Sequence, residues 1–124
     1  MPLRFIDKHA LTGSSRHVVN ETYETHRFLL AEDGLGVTVT DIMLQPDIEA
    51  VYGYDHHIEI AYCLEGEAIV RDHSTNTETQ IVPGAMWVAE KGDRFSFIAK
   101  SPTRLICVFT PPFVGNETGF AGDH

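Results

Sequence analysis

The chain has 124 residues, 43% of them hydrophobic, which is enough for one packed core and argues for a single domain over 1–124. Eighteen acidic side chains against nine Lys and Arg leave a net charge of -9, a field that repels phosphate backbones and anionic lipid surfaces, so nucleic acid and membranes are excluded as expected partners. Apolar runs such as Ile58 to Leu64 are far shorter than the roughly 20 residues of a spanning helix, and the N-terminus lacks the pattern of a secretory signal, so the expected location is the cytoplasm.

Residues 1–25 are of mixed composition without helical period and read as an N-terminal arm with room for one short strand; 111–124 reads as a C-terminal tail. From His26 onward, short runs rich in Val, Ile, Phe, Tyr and Thr are bounded by Gly, Pro, Asp or Asn. Strands are predicted at His26 to Ala31, Gly36 to Leu44, Ile58 to Cys63, Glu67 to Asp72, Glu78 to Val82, Ala85 to Ala89, Arg94 to Ala99 and Arg104 to Phe109. Turn signals at Asp33-Gly34, Glu65-Gly66, Pro83-Gly84 and Lys91-Gly92-Asp93 separate them. Most strand starts recur about every 8–12 residues, the spacing of a sandwich or barrel. Alternation puts Phe95 and Phe97 on one face, and Glu67 and Arg71 opposite Ala68 and Val70. The expected class is all-β, a jelly roll enclosing a pocket for a small molecule. Cys63 and Cys107 lie in apolar runs and are expected as buried free thiols.

Glu59 is the one charge in Ile58-Glu59-Ile60-Ala61-Tyr62-Cys63-Leu64. It either faces solvent or sits in a polar pocket, and burial without partners would raise its pKa and require a ligand, a metal or a basic neighbour. Upstream, Tyr52-Gly53-Tyr54-Asp55-His56-His57 is dense in groups that bind polar ligands. His57 and Glu59 share a face if the strand already runs through 57, and neighbouring histidines suit zinc or iron, although a turn position is the commoner role for at least one of them. Arg27 suits either a bidentate carboxylate contact or an exposed ion pair. Trp87 in Ala85-Met86-Trp87-Val88-Ala89 reads as core unless the fold turns it into the barrel. Ser/His/Asp sets, glycine-rich phosphate loops and Cys-x-x-Cys pairs are not found.

Tyr54 to Glu67, Ile81-Val82-Pro83-Gly84-Ala85-Met86, Leu105 to Pro112 and Glu21 to Gly36 together resemble the ectoine synthase family of small bacterial cupins, over about residues 10–118. The resemblance implies a cupin double-stranded β-helix, a likeness that also covers Glu59 followed by Gly66. It further implies an activity, closure of N-acetylated 2,4-diaminobutyrate into a cyclic amidine with loss of water, using iron or a similar divalent metal. By resemblance the glutamate metal ligand falls on Glu59, and substrate contacts fall on Arg27, Tyr54, Phe109 and Glu117, with Tyr23 where the family usually has tryptophan. Two positions depart: Trp87 stands where the family has a tyrosine ligand, and Phe95 where it has a histidine ligand. Neither side chain can coordinate an ion. Gly119 also replaces a histidine of the tail.

The expectation is therefore an ectoine synthase-like hydro-lyase acting on an N-acylated diamino acid, with Glu59 and Tyr54 catalytic and Tyr23, Arg27, Trp87, Phe95, Phe109 and Glu117 contacting substrate. No metal is expected. Iron or zinc remains open by resemblance, with Glu59 and His57 as its ligands if one binds. The alternative is a non-catalytic cupin that senses or carries a small metabolite. A homodimer formed through edge strands is expected in either case.

Overall fold

The computed structural model describes residues 2–121. Met1 of the arm and the last three residues of the tail, 122–124, lie outside the described residues. The strands are β1 (His17–Val19), β2 (Tyr23–Leu29), β3 (Thr38–Leu44), β4 (Glu49–Tyr52), β5 (Ile58–Glu65), β6 (Ala68–Asp72), β7 (Thr77–Ile81), β8 (Met86–Ala89), β9 (Phe95–Ala99) and β10 (Thr103–Thr110). They form a six-stranded sheet in the order β1-β2-β3-β10-β5-β8 and a four-stranded sheet in the order β4-β9-β6-β7. All named pairings are antiparallel.

All eight strands predicted from punctuation and alternation are present, with ends shifted by a few residues. The largest shift is in β2, which opens at Tyr23 because Tyr23 to Thr25 pair with Leu44 to Ile42. Its far end stops at Leu29, where Ala31–Asp33 turns into a short 3-10 helix. Two strands carry too little pattern to be read alone. β1 is three residues held against β2, and β4 exists by pairing with β9. The arm also contains one helical turn, α1 (Lys8–Leu11), capped by the Asp7 side chain accepting from the His9 N–H at 2.8 Å.

Strand register determines what faces the interior. Across the larger sheet, Arg27, Thr40, Cys107, Ala61 and Trp87 lie side by side on one inward row. The adjacent row carries Thr38, Phe109, Glu59 and Ala89. From the smaller sheet, Tyr52, Phe95, Phe97, Val70 and Ala68 complete the core. Phe95 and Phe97 share the buried face as alternation requires, and Cys63 and Cys107 are buried and unbridged. The tail beyond β10 returns over one end of the barrel. Ala121 N–H donates to the Val51 carbonyl at 2.9 Å, and Gly53 N–H to that of Gly119 at 3.1 Å.

Candidate active site

The barrel interior holds a cavity of about 50 Å³ whose wall includes Tyr52, Tyr54, Glu59, Trp87, Phe95 and Phe109. Glu59 is only 7% exposed, so the glutamate in the apolar run points inward. Burial pushes its carboxyl up to about 7, against a smaller opposing pull from a hydrogen bond with the Cys107 thiol. A carboxyl tuned to that range can both release and accept a proton near neutrality. Burial also raises the Tyr52 and Tyr54 phenols and the Cys107 thiol, so all three keep their protons and serve as donors. Three residues of this wall each carry a buried polar atom without a hydrogen-bond partner: Glu59 Oε1, Tyr52 Oη and Trp87 Nε1.

A second lobe of about 30 Å³ adjoins the first and shares Tyr23, Tyr54 and Phe109 with it, adding Arg27, Phe113 and Glu117. Arg27 is not an exposed ion-pair partner. At 4% exposure it donates through Nη1 to the Gly115 carbonyl at 2.6 Å and through Nη2 to the Glu117 carbonyl, with its guanidinium 5.7 Å from the Phe113 ring centroid. The tail thus forms a strap across the lobe. Tyr23 donates to the Thr118 carbonyl at 2.9 Å, and Phe120 stacks on Tyr52 at 5.4 Å. Gly119 has φ +86°, and a Cβ there would meet the Tyr54 hydroxyl at 2.5 Å, so the strap crosses too close for a side chain. The Glu117 carboxylate accepts from the Val114 and Gly115 N–H groups, both at 2.9 Å; burial opposes these bonds, yet the carboxyl stays below its ordinary range.

Trp87 and Phe95 meet edge to face at 6.1 Å, and Trp87 lies near-parallel to Phe97 at 6.1 Å. Both also line a groove of about 380 Å³ between β7 and β8, so they stand between that groove and the cavity. The sequence-predicted residues therefore divide into a Glu59 lobe, with Trp87 and Phe95, and an Arg27 lobe, with Glu117. Tyr23, Tyr54 and Phe109 line both. His57 lies just before β5. Its Nδ1–H donates to the Pro111 carbonyl at 2.7 Å, while Nε2 faces Glu117 Oε2 at 3.8 Å. His57 is absent from the wall around Glu59 and backs Glu117 instead.

The residues at the positions implied for a metal do not fit one. The indole nitrogen of Trp87 is a donor without a lone pair to offer and Phe95 is a hydrocarbon, which leaves Glu59 with only the Cys107 thiol beside it where three protein ligands are needed for tight binding. Among the described residues, His17, Glu24 and His26 bring ligand atoms within 4.8 Å of one another on the outer face of β1 and β2. Their geometry is that of a hydrogen-bonded stack. His17 Nδ1 accepts from the Gly13 N–H at 3.0 Å, which leaves the proton on Nε2, bonded to Glu24 at 2.7 Å. The two imidazoles lie nearly parallel, 4.2 Å apart and inclined by 14°, so their in-plane lone pairs do not converge.

Sequence reasoning did not assign Tyr52, Cys107 or Phe113 to the site. Tyr52 sits two residues before Tyr54, in a segment whose composition already suggested polar ligands. Cys107 reads as a core thiol in sequence, and only register puts it beside Glu59. Phe113 lies in a tail without periodicity.

Comparison with known proteins bears on this site directly. The sequence model of the ectoine synthase family matches residues 3–121. The L-ectoine synthase of Oceanobacillus iheyensis is 36% identical over 87% of this chain and 84% of its own length. That of Thermobifida fusca is 35% identical over 86% and 80%. The crystal structure of the ectoine synthase from P. lautus superposes with a TM-score of 0.86 at 26% identity, covering 91% of this chain and 81% of that one. KdgF from Halomonas sp., 16% identical with a TM-score of 0.65 over 76% and 84% of the two chains, shares the fold. With its two-sheet cupin barrel and Glu59 turned into the interior, the chain belongs to the ectoine synthase family.

Proposed function

We propose that the protein is a hydro-lyase that closes an N-acylated diamino acid, with N-acetyl-2,4-diaminobutyrate as the type substrate, into a cyclic amidine, and that it does so without an ion at Glu59. The observation that carries this reading is the buried Glu59 carboxyl with a free oxygen in the cavity of a chain from this family.

The cavity as it stands is much smaller than the roughly 300 Å³ at the low end of small-ligand pockets. Substrate binding therefore displaces the strap. The substrate carboxylate competes with the Gly115 and Glu117 carbonyls for the Arg27 guanidinium, and a charge-assisted bidentate pair is the stronger contact. Held by that end, the substrate extends past Tyr54 and Phe109 toward Glu59. Glu59 takes a proton from the attacking α-amine and returns it to the departing oxygen, with the Tyr54 hydroxyl as a second donor. Glu117 and Tyr23 hold the strap and the shared wall.

Incubation with N-acetyl-2,4-diaminobutyrate followed by mass spectrometry tests the reading. The expected product has lost one water, and Glu59→Gln abolishes its formation. Binding without conversion would instead make the protein a metabolite-binding cupin.

No described helix is long and apolar enough to cross a membrane, and the proposed site of action is the cytoplasm. The proposed assembly is a homodimer. The outer face of β5 and β8 exposes Tyr62 (43%), Met86 (60%) and Val88 (50%), with Tyr62 paired to Met86 and Ile60 to Val88, and β8 is the edge of its sheet. A second copy would cover this apolar edge.

A further inference from the structure

Four buried polar atoms among the described residues lack a hydrogen-bond partner, and three of them belong to residues that line one cavity: Tyr52 Oη, Glu59 Oε1 and Trp87 Nε1. Leaving such a group unpaired costs about 1–3 kcal/mol, so three around one small space mark a place completed by a ligand. Tyr52 and Glu59 are 8% and 7% exposed. Trp87 is packed edge to face on Phe95 and stacked by Phe97, and Tyr52 is stacked by Phe95 at 5.9 Å, so the aromatic wall holds both rings in place. Two of the three groups are donors and the third is a carboxyl. Their complement is an oxygen with two lone pairs next to a nitrogen that bears hydrogen, which describes a secondary amide. A cavity of about 50 Å³ suits a small acyl amide end and not a whole substrate.

Resting on the cyclase reading above, we propose that the Trp87 indole N–H and the Tyr52 hydroxyl together hold the acyl oxygen of the substrate's amide, stabilising the charge that develops there in place of the family's metal. The α-amine nitrogen gives its electron pair to the acyl carbon, and the C=O π pair moves onto the oxygen between the two donors. That oxygen then leaves as water, carrying two protons shed by the nitrogens, as the C=N bond forms. No oxidant or reductant enters. Donors held by an aromatic wall reorganise little as the charge appears, which is where such hydrogen bonds act most strongly. In this role Trp87 and Tyr52 are catalytic residues, and Phe95 and Phe97 position them.

The test uses the full chain with Trp87→Phe and Tyr52→Phe, which remove the donors and keep the rings, each checked by thermal melting for retained fold. Conversion of N-acetyl-2,4-diaminobutyrate is followed by mass spectrometry and its binding by calorimetry. Trp87 is the chain's single tryptophan, so its emission reports occupancy of the site in the wild type and in Tyr52→Phe. Each variant is expected to lose about 10²-fold in kcat with a much smaller change in KM, and the wild-type rate is expected to survive EDTA. Unchanged kcat in both variants overturns the donor assignment and leaves the cyclase reading intact. Loss of wild-type activity on chelation, restored by Fe(II) or Zn(II), overturns it as well. If the wild type binds this probe without turning it over, and the variants bind at least fivefold more weakly, the cyclase reading falls and the amide site stands. Neither binding nor turnover by the wild type removes both.

Discussion

Replacing Glu59 by glutamine keeps the shape of the side chain and removes its ionisation, so the pH dependence of the difference between the two proteins isolates one buried carboxyl. In the unfolded chain this group titrates near 4.5, and in the folded barrel burial pushes it up to about 7. Between those values the unfolded chain gives up the proton while the native state retains it, so native stability falls as pH rises, then levels off above 7. At about 1.4 kcal/mol per pH unit the loss is about 3 kcal/mol. With an unfolding entropy of about 2.1 cal/mol/K per residue, this corresponds to about 12 °C in Tm for a chain of this length. Glu59→Gln carries no such penalty, so its Tm relative to wild type is expected to rise by about that amount from pH 4.5 to pH 7.5. Calorimetry of both proteins across this range is the assay, and other titrating groups cancel in the difference. A difference that stays flat would mean that the carboxyl titrates alike in both states, and wild type gaining on the variant as pH rises would place a cation against the carboxylate; either result refutes the reasoning.

Arg27→Met removes the donors to the Gly115 and Glu117 carbonyls and leaves them unpaired, at a cost of about 2–3 kcal/mol. Hydrogen exchange at the Gly53 and Ala121 amides should accelerate, and substrate KM should rise at least tenfold. Asp41 accepts a two-pronged contact from Arg104, at 3.0 Å from Nε and 2.6 Å from Nη2, with Lys8 3.3 Å away; burial works against the carboxylate, but these cations hold it below its ordinary range. Asp41→Asn is expected to lose about 1–3 kcal/mol in urea unfolding with turnover at saturating substrate unchanged, since Asp41 faces away from the cavity. Met86→Glu places a charge on the exposed edge of β8 and is expected to convert a dimer to monomers in analytical ultracentrifugation.

Much of the barrel was legible because alternation and punctuation are local properties. Phe95 and Phe97 declared their shared face, and Glu59 declared itself by being the one charge in an apolar run. β4 was not legible, since four residues with a weak pattern become a strand only when β9 lies beside them. The strap was illegible for a different reason. Arg27 binds backbone carbonyls, which every residue has, so no side chain in the tail announces the contact. The triad of unpaired atoms joins Tyr52, Glu59 and Trp87 from three strands, and its existence depends on register that only the assembled sheets reveal.

The placement of Cys107 has a practical corollary. Its sulfur lies beside Glu59 in the buried interior, and burial pushes the thiol well above its ordinary range. An alkylating reagent can reach it only while the barrel stands open, and it must then find the sulfur deprotonated. The rate of mass increase at Cys107 is therefore a clock for that opening, and a ligand that reseals the entrance would slow it.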